Sequence, residues 1–156
     1  MHHSLRFKIV APLAVALALL LAPAAQANNA DVCQAAKAGH AAFTEDYEFF
    51  VRAFTAENSY NADQGANLMS AGLSSWRNRM RNTTASTPNG WKARKAVLRL
   101  IKRSRYAVVD LFMEAVRLQV AGQRDGALDF FVGGQRVLAK SAIRVVPRLR
   151  AINCGY

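Results

Sequence analysis

Beyond residue 27 the chain has one imidazole, His40, two thiols, Cys33 and Cys154, and all ten of its carboxylates. Any acid–base pair, nucleophile or metal site would have to be built from these. Their spacing supports little of it. Cys33 and Cys154 are too far apart for a CxxC redox pair or a zinc ribbon, and the Glu-x-x-His pairs of di-iron bundles are absent. A P-loop, a Gly-x-Ser-x-Gly elbow and a dinucleotide fingerprint are absent too. His40 lies on an apolar stripe and reads as a core histidine with one hydrogen bond. As a haem ligand it would need Met69, Met80 or Met113 opposite, and no CxxCH attachment motif accompanies it. Asp110 and Glu114 share a helix face, but Arg117 follows Glu114 by three, the spacing of an ordinary surface ion pair. Asn82-Thr83-Thr84 has the form of a glycosylation acceptor, relevant only where the source modifies such sites. The expectation is a chain with no catalytic residue, no cofactor and no metal.

Charge is the remaining signal. Against 21 Lys and Arg stand 10 Asp and Glu, a formal net charge of +11. The excess is localised: residues 28–70 hold two basic and six acidic side chains, whereas 71–109 hold ten basic and none acidic. The densest stretch is WKARKAVLRLIKRSRY, residues 91–106. At 100° per residue, Ala93, Ala96, Val97, Leu100, Ile101 and Ser104 form its buried stripe. Trp91, Lys92, Arg94, Lys95, Arg99, Lys102, Arg103, Arg105 and Tyr106 are then candidate binding residues, joined by Arg77, Arg79 and Arg81 near Trp76. Basic faces carrying Trp and Tyr suit polyanions and membrane interfaces. Lys140, Arg144 and Arg148, spaced by four, form a second, weaker strip. A plainer use of the same charge is solubility, with pairing to Glu45, Asp46 and Glu48 on the first helix and Arg side chains matching the second helix's dipole. A stretch of 39 residues without one acid argues against that use, since solvated faces usually mix signs.

The elements that position these residues follow from the rest of the sequence. Arg6 and Lys8 precede an apolar run from Ile9 to Leu21 that is short for a bilayer span, and Ala25-Gln26-Ala27 has a small-x-small form. Residues 1–27 read as a secretory signal peptide, and 28–156 as a single helical domain, exported to the periplasm or the medium. In that oxidising setting Cys33 and Cys154 are expected to form one disulfide.

The period is helical throughout. Ala36, His40, Phe43, Tyr47, Phe50 and Phe54 mark a first helix, and Ala62, Ala66, Met69, Leu73, Trp76 and Met80 a second. Asn82–Gly90 breaks the pattern. Val97, Ile101, Ser104, Val108, Leu111, Ala115 and Leu118 mark a third, which Ala121–Gly126 ends. Leu128, Phe131, Gln135, Leu138, Ala142, Val145, Leu149 and Ile152 mark a fourth, weakened by Gly133 and Gly134 and interrupted late by Pro147. The expected fold is an all-α, up-down-up-down four-helix bundle. That topology places Cys33 and Cys154 at the same end, and the cations are expected to concentrate at one end of the bundle.

Around Leu111 the third helix also shows an apolar arc, widened by Val109, Phe112, Met113, Val116 and Val120, which suits either coverage by two neighbours or a homodimer surface. The function expected is non-enzymatic binding of an anionic surface or polymer: acidic lipid, lipopolysaccharide, a cell-wall polyanion or nucleic acid. The alternative is an accessory, inhibitor or immunity-type protein that grips an acidic protein partner.

Overall fold

Apolar side chains repeating every three to four residues must be buried against one another. The second such run shows it most clearly: Ala62, Ala66, Met69, Leu73, Trp76 and Met80 are all buried. The computed structural model describes residues 29–156. The expected signal peptide, residues 1–27, lies outside them. The described chain forms α1 (Ala30–Thr55), α2 (Ser59–Arg81), α3 (Pro88–Tyr106), a π-helical turn (Ala107–Phe112), α4 (Met113–Val120) and α5 (Arg124–Arg150). The π turn joins α3 to α4 without a break, so the architecture is the expected all-α bundle of four antiparallel rods. No described residue lies in a strand, and no described helix is long and apolar enough to cross a membrane.

Local chemistry sets the connections. Asn58 caps α2 by accepting a hydrogen bond from the Asn61 amide at 3.1 Å. Gly122, at φ 73°, closes α4 with the Gln123 amide donating to the Leu118 carbonyl. The break expected over 82–90 is shorter than the sequence suggested. Thr87 is an N-cap whose hydroxyl accepts from the Gly90 amide at 3.0 Å, and Pro88 occupies the first helical position, where its missing amide hydrogen is no loss. Pro147 lies inside α5, which continues to Arg150.

The third rod departs from the simple period. Leu111 was expected in the core but is only half-buried, and Phe112 is fully buried instead. The π turn explains the exchange, because its extra residue per turn advances the buried stripe by one position. Val108, Phe112, Ala115 and Val116 then face inward, leaving Val109 and Val120 as the exposed apolar residues of that rod beyond Tyr106. The broad apolar arc of the sequence is thus largely consumed by the core. Phe112 stacks at 4.9 Å from Phe50, 5.9 Å from Tyr47 and 5.8 Å from Phe131, so one ring ties α1, the third rod and α5 together. It fits because Gly134 lies beneath it, where a Cβ would come within 2.2 Å of the ring. Gly133, its neighbour, faces open space.

Cys33 and Cys154 form the disulfide, with Cα atoms 5.1 Å apart and 121 residues between them in sequence. It fastens the first turn of α1 to the chain just past α5.

Two outcomes are expected from this packing. Reduction, or the double change Cys33→Ala and Cys154→Ala, lowers stability by about 2 to 5 kcal/mol, read as the difference in urea unfolding free energy. Gly134→Ala lowers it by about 1 to 3 kcal/mol by the same measurement, because the Phe112 ring has no free space to retreat into.

Candidate functional site

The basic residues are placed by the helix that carries them. With Ala93, Val97, Ile101 and Ser104 buried, α3 turns its cations outward on both flanks. On one flank, against α2, a groove of about 530 Å³ is lined by Arg77, Arg81, Lys102 and Arg105, with Asp110 at one side. Its apolar floor includes Leu73, Leu98 and Ile101, and Tyr106, 51% exposed, stands at its edge. On the other flank, against α5, a groove of about 620 Å³ is lined by Lys92, Lys95, Arg99, Arg103, Arg144 and Arg148, with no acid among its lining residues. Leu100 and Val145 line that groove as well. From Lys92 to Arg105 the cations extend about 20 Å along the helix at 1.5 Å per residue. The charge is therefore a ridge with two grooves rather than a cap on one end. Arg144 and Arg148, read from the sequence as a separate and weaker strip, face the α3 cations directly. Only the pairing of α3 with α5, a tertiary fact, joins them.

Not every expected binding residue is free to bind. The Arg94 guanidinium donates to the Met80 and Arg81 carbonyls at the end of α2, where the helix dipole concentrates negative potential, and stacks 5.3 Å from the Trp91 ring. Arg94 is thus a helix cap. Trp91 remains 55% exposed beside it. Trp76, a member of the expected apolar stripe of α2, is a core residue whose indole lies on Gly39, where a Cβ would meet it at 2.1 Å. Arg79 is exposed on α2 and lines neither groove.

The carboxylates of α1 do not neutralise this surface. The described residues form two ion pairs, Arg117 with Glu114 at 2.6 Å and Arg124 with Glu57 at 2.7 Å, and neither uses a groove cation. The first is the surface pair expected from the sequence. Glu45 and Glu48 are exposed on α1, and Asp46 approaches Gly72 of α2, where burial and the neighbouring Glu45 charge raise its pKa. The expected pairing of these three with the basic segment is not formed.

His40 is half-buried rather than enclosed in the core. Its Nε2 is hydrogen-bonded to the Thr44 hydroxyl at 3.4 Å, and its ring meets Tyr156 edge-on at 6.5 Å. It lines a cavity of about 40 Å³ together with Phe43, Trp76, Leu138 and Tyr156. None of Met69, Met80 and Met113 lines that cavity, and its volume falls far short of a porphyrin. Among the described residues no three His, Cys, Asp or Glu side chains gather as a metal site. Burial lowers the His40 pKa by disfavouring the imidazolium, and raises that of Tyr156 by disfavouring the phenolate.

Two expectations follow. Arg94→Ala lowers stability by about 1 to 3 kcal/mol through the lost capping bonds, whereas Arg99→Ala changes it by less than about 0.5 kcal/mol, both from chemical unfolding. For His40 the folded-state pKa is the lower one, so its neutral form is compatible with both states above about pH 6.5. Below that the unfolded chain takes up the proton first, and stability falls with pH. His40→Gln is expected to flatten the difference between unfolding free energies measured at pH 5 and pH 7.5.

Comparison of the chain with protein families, curated proteins and solved structures finds no match, so the functional reading rests on the grooves beside α3.

Proposed function

We propose that this chain is an exported, non-enzymatic binding protein that engages an anionic surface or polymer through the ridge of α3 and the grooves on either side of it. The observation that carries the reading is the α3/α5 groove, where six cations from two helices converge without a carboxylate partner. Convergent cations repel one another, and a cleft lined by one sign of charge focuses its field and raises the local concentration of anions. The ligand's negative charge would release counterions as it docks. Exposed Trp91 and Tyr106 would add interfacial or stacking contacts at the margin. Export is supported by the basic and apolar character of residues 1–27 and by a disulfide of a kind that persists in oxidising compartments. Acidic lipid, lipopolysaccharide, a cell-wall polyanion and nucleic acid all carry the required charge.

The test is co-sedimentation with anionic phospholipid vesicles, and retention of double-stranded DNA, across a range of salt. Binding is expected to weaken steeply as salt rises. The triple change Arg99→Gln, Arg103→Gln and Arg148→Gln is expected to weaken it at least tenfold with the helical circular dichroism unchanged. Retention indifferent to ionic strength, or a triple variant that binds like the parent, would overturn the reading.

A further inference from the structure

Behind the α3/α5 groove lies the small cavity beside His40. Leu100 and Val145 line both spaces, so these two side chains form the partition between a cationic surface and an apolar interior. The cavity walls are otherwise mostly hydrocarbon, from Phe43, Val97, Leu138 and Leu149. His40, Ser104 and Tyr156 line it too, and one further polar group there is unpaired. The Trp76 indole contributes to the lining, is 3% exposed, and its Nε1–H has no acceptor. A buried donor left unpaired is unfavourable, and native proteins rarely keep one. At about 40 Å³ the cavity has room for about three water-sized groups, or the last few carbons of a chain.

We infer that groove and cavity are two halves of one site for a single anionic amphiphile, its head held by Arg99, Arg103, Arg144 and Arg148 and its tail passing between Leu100 and Val145 toward Trp76. The inference rests on the anion-binding reading above and narrows it from surfaces and polymers to a molecule with a charged head and a hydrocarbon end. Charge complementarity selects the head. The apolar lining selects the tail, and each methylene seated there strengthens binding about fourfold. An oxygen near the tail end, from an ester or a hydroxyl, would give the Trp76 donor its missing acceptor.

The experiment uses the disulfide-bonded protein with its sequence unchanged, and Trp91→Phe is made only to assign the Trp76 indole signal. Octyl phosphate below its micellar concentration, methyl phosphate and inorganic polyphosphate are titrated by calorimetry, and the indole Nε1–H resonance and fluorescence are followed. Octyl phosphate is expected to bind about 50-fold more tightly than methyl phosphate and to shift the Trp76 resonance. Ala142→Leu, which fills the cavity from α5, is expected to bring octyl phosphate to the methyl phosphate level while polyphosphate binding is unchanged. Should that variant fail to fold by circular dichroism, Val146→Phe on the same wall is read in its place. Equal affinity for the two phosphates, tight octyl phosphate binding with the Trp76 signal unmoved, or vesicle binding without monomer binding would each overturn the inference while polyphosphate binding stands. Failure of polyphosphate and of every other anion would instead overturn the anion-binding reading itself.

Discussion

The bundle depends on one ring being placed where an unbroken α-helix would not put it. Phe112 reaches α1 and α5 together only because the π turn advances the third rod's inward face by one residue, and only because Gly134 leaves the space beneath it. With an ordinary turn there, Leu111 rather than Phe112 would continue the buried stripe. The Phe112 cluster also holds α1 and α5 apart, since these rods meet through Phe50, Phe54 and Phe131 rather than by close backbone approach. The tight pairing of α1 with α2, where Gly39 accepts the Trp76 indole, balances that wider seam.

Electrostatics follows from the same arrangement. The acids of α1 form no ion pair with the cations that line the two grooves. The exposed carboxylates Glu45 and Glu48 stay in solvent, and Arg94, the one α3 cation with a firm internal partner, is occupied by main-chain carbonyls. Surface pairs such as Arg124 with Glu57 add little stability where they occur. An uncompensated ridge therefore has small consequences for folding and large ones for what the surface attracts.

Much of this was legible in the sequence. The apolar period located all four rods, every member of the α2 stripe is buried, and the two cysteines implied the end at which the termini meet. What escaped has identifiable causes. The turn between α1 and α2 carries no glycine or proline, because Glu57 itself adopts the left-handed conformation at φ 56°. The π turn has no sequence mark beyond apolar residues that satisfy two phases at once. Pro88 and Gly90 looked like loop formers, although Thr-Pro is equally a helix start. Which of the charged residues converge depends on how α2 and α5 flank α3, a tertiary fact. Trp76 belongs to the α2 stripe by its period although three arginines follow it closely, and the bare backbone at Gly39 gives its indole room in the interior.

The two grooves share α3 as a common wall, and an α-helix with its side chains is about 10 to 12 Å across. An extended or branched anion that wraps over this wall would engage both channels from one molecule. Once the first channel is filled, the second meets its portion of the same molecule at an effective concentration set by the short span between them, typically in the millimolar range. Such a ligand would dissociate far more slowly than either contact alone permits, with no additional residue recruited. Valency, rather than the strength of any individual contact, would then decide which anions remain on the protein.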